Sequence, residues 1–323
     1  MNNQPKLSIG LPVYNGEKFL AFSLDSLLSQ TFQDFELIIS DNASTDRTQD
    51  ICRAYIQKDQ RIKYYRNHTN IGCARNFSRV FDLSCGEYFK WASYDDLHDP
   101  TFLTKCIQIL DNDPSVILCH SQTDFINEKG EYIGDYEIYF NTDSPKPHRR
   151  FHELLVKHFC YQCYGVIRRN ALLATPPMGG YGAADAIFLL RLSLLGRFYE
   201  IPEHLFFARN HSQQSLTMFW KEHMKFKMLP DFYAYAVWFD SANRGKILLP
   251  HWRIFWEYMR SAWMGDMNLY GRLCCHISIL TRLSGSELLL VKDLLLASQA
   301  LIKRIPRLSV SIKVEWHTPS ISS

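Results

Sequence analysis

Three carboxylates lie within five residues in the segment Asp95-Asp96-Leu-His-Asp99-Pro100, directly after an apolar run typical of a β-strand. Adjacent carboxylates repel each other, and a protein usually keeps such a cluster where a cation lies between the carboxylates and a substrate. Oxygen ligands suit Mg²⁺ or Mn²⁺, which also bind phosphate oxygens. Asp99, immediately before Pro100, is expected to cap the following helix. The segment therefore predicts a divalent metal on Asp95 and Asp96.

Polar side chains also follow the first two apolar runs, as Pro12-Val-Tyr14-Asn15 and as Asp41-Asn42-Ala-Ser44-Thr-Asp46. A tyrosine at a strand end can stack on a planar base, and an aspartate can accept hydrogen bonds from base N–H or ribose hydroxyl groups. Ordinary turn chemistry explains either segment equally well. Further along, Asn70-Ile-Gly72-Cys-Ala-Arg75-Asn76 begins a predicted helix, whose free N–H groups and Arg75 could meet a diphosphate.

A sheet is needed to bring these segments together. From Leu7 to about Thr123, strand-like apolar runs alternate with helix-like segments. This alternation predicts a mostly parallel sheet with helices on both faces. In such sheets ligands bind beyond the carboxyl ends of the strands, where the polar segments lie.

The order of the segments resembles the family 2 glycosyltransferases, whose nucleotide-binding half begins with a Pro-x-Tyr-Asn strand end. The resemblance extends over roughly the first two-thirds of the chain. It implies an α/β fold of the GT-A type, a Rossmann-like, mostly parallel sheet sandwiched by helices, here with a C-terminal all-helical extension. It also implies an inverting enzyme that uses Mn²⁺ or Mg²⁺ and moves a sugar from a nucleotide-diphosphate sugar, with a UDP-sugar preferred, to an acceptor hydroxyl.

By this resemblance Tyr14 and Asp41 contact the base, Asp46 lies nearby, and Arg75 approaches the nucleotide. The family's Asp-x-Asp-Asp-x-x-x-Pro motif corresponds to Ser93 through Pro100. Ser93 replaces the first aspartate, whereas Asp95 matches the metal ligand. The residues implied to bind the nucleotide sugar are Pro12, Tyr14, Asn15, Asp41, Asn42, Ser44, Asp46, Arg75 and Asp95.

Two later segments extend the resemblance with departures. Gly182-Ala-Ala-Asp185 resembles the family's Glu-Asp motif, with Ala184 in place of the glutamate. Asp185 would then remove the proton of the acceptor hydroxyl as its oxygen attacks the anomeric carbon. Arg209-x-His211-x-x-x-Ser215 resembles the Arg-x-His-x-x-Ser segment with one extra residue. His211 is thereby implied as a further metal or diphosphate ligand, although a lone histidine after a strand is commonly structural.

Other classes of protein fit less well. No Gly-x-Gly-x-x-Gly follows the first strand and no Gly-x-x-x-x-Gly-Lys-Ser/Thr occurs, which excludes a nicotinamide dehydrogenase and a P-loop hydrolase. A processive synthase would carry transmembrane helices and a Gln-x-x-Arg-Trp segment, and the sequence shows neither. An enzyme that adds a single sugar is therefore expected. Because of Ser93 and Ala184, the alternative of a catalytically degenerate nucleotide-sugar binding protein stays open. A role in cell-surface polysaccharide or glycolipid synthesis, with a saccharide or lipid-linked acceptor, is expected.

Composition limits the partners and the compartment. The 36 basic and 33 acidic residues nearly balance, so nucleic-acid binding is not expected. Nine cysteines at irregular spacings, in a chain that opens without a signal-like segment, predict a cytoplasmic protein with reduced thiols. Basic groups at Arg149-Arg150, Lys221–Lys227 and Lys303–Arg307 adjoin apolar side chains. They suit either a solvated helix face or peripheral contact with the inner face of a membrane.

The domain organisation follows from the change in pattern along the chain. We expect a catalytic domain over 1–217, with a nucleotide-sugar half over about 1–125 and an acceptor half over about 126–217. Its predicted parts include a hairpin or long loop over Asn127 to Phe151, a helix over Ala184 to Leu195 and a strand at Leu205 to Arg209. An aromatic-rich helical region is expected over 218–323.

Overall fold

The computed structural model describes residues 4–156, 161–212, 232–284 and 287–304. Within these ranges nine strands form one sheet in the order β3-β2-β1-β4-β8-β6-β9-β5, and β7 pairs with β6. The strands are β1 (Leu7–Val13), β2 (Phe35–Asp41), β3 (Ile62–Arg66), β4 (Tyr88–Trp91), β5 (Leu97–His98), β6 (Val116–Ile126), β7 (Tyr132–Asp135), β8 (Val166–Arg168) and β9 (Arg197–Arg209).

Helices cover both faces of this sheet. They are α1 (Leu20–Leu28), α2 (Thr48–Lys58), α3 (Cys73–Asp82), α4 (Phe102–Asn112), α5 (Pro147–Val156), α6 (Arg169–Leu173), α7 (Ala184–Leu192), α8 (Phe232–Phe239), α9 (Pro250–Ser261), α10 (Leu269–Leu283) and α11 (Glu287–Arg304). One apolar core contains residues of α1, α2 and α4, and the other contains residues of α3, α5 and α7. The predicted α/β sandwich is therefore confirmed. Its sheet is mixed, with four parallel strand pairs and four shorter antiparallel pairs within the described residues.

The parallel half of the sheet aligns the strand ends that carry polar segments. β1 pairs in parallel with β2 and β4, and β2 pairs in parallel with β3. In this register Val13 lies opposite Asp41, and Asp41 lies opposite Arg66. Three loops therefore leave the sheet at one edge, as expected for a ligand site in this architecture.

The acceptor half departs from the predicted elements in three places. The hairpin that was one predicted alternative over 127–151 is present, formed by β6 and β7, but α5 begins within this segment at Pro147. β9 begins at Arg197 and pairs in parallel with β6 along most of its length. The helix expected to end at Leu195 ends at Leu192. These boundaries depend on cross-strand pairing and on burial of Phe151, which the local pattern does not encode.

The C-terminal helices pack against the sheet's own helices rather than standing apart. Phe151 of α5 and Ile187 of α7 share a buried cluster with Tyr258 of α9 and Ile279 of α10. The proposed boundary at residue 217 and the basic segment Lys221–Lys227 lie outside the described residues. Among the described helices, none alone is long and apolar enough to cross a bilayer, whereas α10 and α11, bent by 72° at their break, reach that length and composition only together.

Candidate functional site

The loops after β1 and β2 hold each other at the sheet edge. The Asn15 backbone N–H donates to Ser44 Oγ at 2.9 Å, and the Thr45 N–H donates to Asn15 Oδ1 at 2.9 Å. Asn15 has φ 52° and Ala43 has φ 63°, a left-handed conformation that asparagine tolerates better than alanine. Pro12 is buried within β1 opposite Ser40. These residues fix the shape of the edge from which Tyr14 projects, 44% exposed.

Asp41 ends β2 as a fully buried carboxylate. It accepts hydrogen bonds from the Ser44 N–H at 2.8 Å, the Tyr64 hydroxyl at 2.7 Å and Arg66 Nη1 at 2.6 Å. Burial opposes ionisation of Asp41, but the hydrogen bonds from Ser44, Tyr64 and Arg66 outweigh it and lower the pKa. Asp41 is therefore an ionised acceptor, held in one orientation beneath the loops.

Asn42 and Asp46 use their polar atoms within the protein. Asn42 Nδ2 donates to Asn70 Oδ1 at 2.9 Å, and Asn42 Oδ1 accepts the Ile71 N–H at 2.9 Å. The two oxygens of Asp46 accept the N–H groups of Thr48 and Glu17, each at 3.0 Å. Asn42 thus connects the loop after β2 to the start of α3, and Asp46 connects α2 to the loop after β1.

Asp95 and His211 meet at the end of the sheet. Asp95 Oδ2 lies 2.8 Å from His211 Nε2, and both side chains are buried. The Ser93 hydroxyl donates to Asp95 Oδ1. The serine that replaces the first aspartate of the motif therefore orients this carboxylate. The His211 ring packs against the ring of Phe19 at a centroid distance of 4.8 Å.

Asp96 faces the backbone of β9. Its Oδ1 accepts the Arg209 N–H at 2.9 Å. Burial is the larger cause and repulsion from Asp95 the smaller cause that raise the Asp96 pKa well above its usual value. Arg209 itself is nearly completely buried and donates from Nε to the Asp95 carbonyl at 2.8 Å. The two aspartates therefore have different surroundings, and Arg209, which the sequence analysis did not select, binds the backbone between them.

Lys90 is a second residue that the sequence analysis missed. It lies fully buried in β4, where its ammonium contacts the Tyr164 carbonyl and lies 4.8 Å from the centroid of the Phe102 ring. Burial lowers its pKa to about 7. No carboxylate among the described residues forms an ion pair with it. The signal was a single charge within an otherwise apolar strand.

Asp185 lies in the first turn of α7, after Ala183 with φ 59°. Asp185 Oδ1 accepts the Ala186 N–H at 2.9 Å, and no residue in the described ranges donates to Oδ2. Burial raises the Asp185 pKa. Burial raises the pKa of the Cys163 thiol, and the negative charges of Asp185 and Asp96 raise it further. Asp185 is thus a partly buried carboxylate whose charge, like that of Asp96, acts on the Cys163 thiol.

Arg75 projects from the first turn of α3 and contacts the C-terminal region. Arg75 Nη2 lies 3.3 Å from Asp240 Oδ2 in the turn after α8. Gly72, with φ +89°, packs so closely there that a Cβ atom would lie 2.9 Å from the Phe239 carbonyl oxygen. Asn243 Nδ2 donates to the Gly180 carbonyl at 2.7 Å. The helical region therefore borders both the start of α3 and the loop before Asp185.

A second group of metal-ligand side chains lies on β6, β7 and β9. The ligand atoms of Asp124, Asp135 and His204 lie within 4.8 Å of one another. Asp135 and His204 are exposed, and exposed acidic groups are common without a metal. Asp95 and His211 are buried beside the loops described above and share no residue with this second group. Mutations can therefore test the two candidate metal sites separately.

The sequence is similar to those of known glycosyltransferases over part of its length. An uncharacterized glycosyltransferase of Methanocaldococcus jannaschii is 29% identical over 137 residues, which are 42% of this chain and 47% of that protein. An uncharacterized glycosyltransferase of Rickettsia typhi is 35% identical over 118 residues, 36% of either chain. The chain thus spans less than half the length of these relatives.

Two solved structures share the fold at low sequence identity. Staphylococcus aureus TarS residues 1–349, in complex with UDP-GlcNAc, is 18% identical with a TM-score of 0.61, over 86% of this chain and 72% of that one. The mannosyltransferase PcManGT of Pyrobaculum calidifontis, in complex with GDP-Man and Mn²⁺, is 14% identical with a TM-score of 0.51, over 94% of this chain and 82% of that one.

The match to a family description covers the strands and loops that form the site. Residues 8–174, just over half of the 323, match Glycosyl transferase family 2, and they include every predicted nucleotide-binding residue as well as Asp96. Asp185 and His211 lie beyond the matched range. The mixed sheet with helices on both faces and the likeness to these solved structures show that the chain has the GT-A fold. Because the match covers more than half of its residues, the chain belongs to glycosyl transferase family 2.

Proposed function

We propose that this protein transfers a sugar from a nucleotide-diphosphate sugar to an acceptor hydroxyl with inversion at the anomeric carbon. The observation that carries this proposal is the buried contact between Asp95 and His211, at the edge where the loops of β1 and β2 meet. A UDP-sugar is the preferred donor. The complex of TarS with UDP-GlcNAc supports that choice by analogy, and the GDP-Man complex of PcManGT keeps GDP-sugars as the next candidates.

The donor atoms of Asp95 and His211 fit a divalent cation. Two ligands at about 2.1 Å from a metal and at right angles lie roughly 3 Å apart, close to the 2.8 Å between these atoms. A carboxylate oxygen and an imidazole nitrogen suit Mn²⁺, and the carboxylate also suits Mg²⁺. Asp96 is the third predicted ligand. When bound, the cation would offset the charge on the leaving diphosphate.

The remaining roles follow from the side chains themselves. Asp41, ionised and held by three donors, would accept a hydrogen bond from the base, against which the exposed Tyr14 would stack. We assign Asn42, Ser44 and Asp46 to shaping these loops through the contacts described above. Arg75 would reach the diphosphate by leaving Asp240.

Asp185 is the proposed general base. Its Oδ2, which accepts no hydrogen bond from the described part of the chain, could accept the proton of an acceptor hydroxyl. A raised pKa brings a carboxylate closer to the basicity that this step needs. Attack from the face opposite the leaving diphosphate requires no covalent intermediate on the enzyme. The acceptor is a saccharide or a lipid-linked saccharide, in the synthesis of a cell-surface polysaccharide or glycolipid.

The second candidate is a nucleotide-sugar binding protein without turnover. Ala184 favours it, because it stands where the family has a glutamate next to the proposed base. Ser93 argues less strongly for it, since its hydroxyl orients Asp95.

Calorimetric titration with UDP, GDP, dTDP and CDP, each with and without Mn²⁺, tests the donor site. We expect metal-dependent binding of one nucleotide, followed by release of that nucleotide when its sugar derivative and an acceptor are added. Binding without turnover over a panel of saccharide and lipid-linked acceptors would favour the binding protein. Absence of binding to all four nucleotides would refute both.

A further inference from the structure

Helix α11 presents an apolar stripe to solvent. Leu288, Val291, Leu295 and Ile302 follow one another at spacings of three, four and seven residues, so they lie on one face of the helix. All four side chains are exposed, Leu288 to 80%. Large apolar side chains grouped on one exposed face usually mark a binding surface.

The opposite face of α11 is held by α9. Asp293, which is buried, accepts the His251 N–H at 2.7 Å and lies 2.8 Å from His251 Nδ1. The Trp252 indole N–H donates to the Leu290 carbonyl at 3.0 Å. Because these contacts fix the rotation of α11 about its axis, its apolar stripe faces away from the protein.

Helix α10 repeats this arrangement. Leu269, Leu273, Ile277 and Leu280 recur at spacings of four, four and three residues, and all are exposed, Leu269 to 78%. The exposed Trp263 lies beside this helix, its ring 5.6 Å from that of His276. Tryptophan at the border of an apolar face is typical of side chains that sit at a membrane–water interface.

The charges on the two helices indicate the partner. Lys292 and Lys303 each follow a residue of the α11 stripe, and eleven residues, about three helical turns, separate them, so they line the same edge. The acidic residues of α10 and α11 are only Glu287 and the buried Asp293. Basic edges favour an anionic surface. A symmetric contact between two copies of this face would instead bring the same basic edges together.

We propose that α10 and α11 bind the surface of an anionic lipid bilayer, with the two stripes defined above in the acyl boundary and Lys292 and Lys303 at the headgroups. The bend of 72° between the helices suits two segments lying along a surface better than one straight span. This inference rests on the proposed function for its purpose, which is to hold the sugar-transfer site close to a lipid-linked acceptor.

Sedimentation of the full chain with vesicles tests the inference without requiring turnover. The vesicles contain phosphatidylcholine alone or mixed with phosphatidylglycerol. We expect tighter binding to the mixed vesicles, weakened by salt. Leu295→Glu should lower the partition coefficient at least about tenfold, because it places a charge at the apolar boundary. Leu173→Glu, at an exposed leucine of α6, is the matched control and should bind like the parent.

Three further measurements keep the result decisive. Lys292→Gln combined with Lys303→Gln should remove most of the preference for anionic vesicles. Equal vesicle binding by the parent and Leu295→Glu would overturn the inference, as would a dimer mass in solution that Leu295→Glu converts to a monomer without any vesicle binding. Nucleotide titration on the same samples separates this outcome from failure of the proposed function, since Leu295 is remote in sequence from the predicted donor residues and exposed.

Discussion

Asp95 Oδ2 and His211 Nε2 lie 2.8 Å apart although 116 positions separate the two residues along the chain. Arg209, two residues before the histidine, donates to the Asp95 carbonyl and its N–H donates to Asp96. The end of β9 is thereby attached to the acidic segment after β4. The pair is thus a consequence of how the last strand joins the sheet.

If this pair binds the metal, Asp95→Ala and His211→Ala should each remove most of the Mn²⁺-dependent part of nucleotide affinity. We expect UDP binding in Mn²⁺ to weaken at least about tenfold, because one ligand of a small donor set is lost. Calorimetry with and without Mn²⁺ measures the effect. Asp124→Asn, in the exposed contact with His204, is the matched control. Loss of metal dependence in this control, with retention in Asp95→Ala, would place the metal on β6 instead.

Asp185→Asn should reduce kcat by roughly 10²- to 10⁴-fold while leaving the Kd for the nucleotide within about twofold, because it removes the proposed general base. The parent's rate should fall on acidification at a higher pH than for an ordinary carboxylate, since burial raises the Asp185 pKa. Rapid-quench turnover over a pH series measures the fall in kcat and the pH at which the rate declines. An unchanged kcat in the variant would reject Asp185 as the base.

The same substitution has a predicted effect on stability. Because the pKa of Asp185 is raised in the folded state, folding favours the protonated carboxyl over the ionised one. The stability that this gives the protein is present below the ordinary aspartate pKa and is lost as pH rises through the raised pKa. Asp185→Asn should therefore match the parent near pH 4 and have an equal or higher Tm at pH 7. A variant that is less stable at pH 7 than at pH 4, relative to the parent, would contradict this sign.

Arg75→Ala should weaken binding of UDP about tenfold and leave binding of uridine unchanged, because the arginine is expected to contact the diphosphate only. The Tm should change little, since the contact between Arg75 and Asp240 is partly exposed and such pairs contribute little. Asp240→Asn, which frees Arg75 without removing it, serves as the companion variant and should bind UDP at least as tightly as the parent. Equal losses for uridine and UDP would exclude the diphosphate role.

Gly72→Ala should destabilise the protein by about 1–3 kcal/mol. Its φ of +89° disfavours a side chain, and the added Cβ would lie 2.9 Å from the Phe239 carbonyl oxygen. Gly130→Ala is a control with nearly the same φ, +85°, and its nearest neighbour is at 4.0 Å. Thermal unfolding of the two variants separates backbone strain from the close contact. If both lose the same stability, α8 does not pack on α3 as described.

Lys90→Met should stabilise the protein below about pH 7. Burial lowers the Lys90 pKa to about 7, so the folded state binds fewer protons than the unfolded state between that value and the ordinary lysine pKa. The cost of burying the ammonium is full below this range and disappears as pH rises through it. The gap in Tm between variant and parent should therefore shrink between pH 6 and pH 10. A constant gap would mean that packing alone distinguishes them.

Local patterns were sufficient for the first half of the fold. The apolar runs at Leu7–Val13 and Phe35–Asp41, each followed by an amphipathic segment, predicted alternating strands and helices because periodicity is a local property. The predicted cap at Asp99 differs from the structure: Asp99 Oδ1 accepts the Thr101 N–H at 2.8 Å in the turn before α4, and the N-cap residue of α4 is Thr101, which makes no side-chain capping bond. The polar segments at strand ends predicted one edge for the site, since parallel strands end together.

The sequence by itself thus determined the layered α/β architecture, the family and the set of candidate residues. Only the tertiary structure decided which candidates touch: Asp95 contacts His211, whereas Asp96 faces the backbone of Arg209. It also decided that α8 borders Gly72 and that Lys90 is buried without a carboxylate partner among the described residues. These relationships join segments far apart in the chain, and their geometry depends on how strands pair and helices pack, which no local pattern of residues encodes.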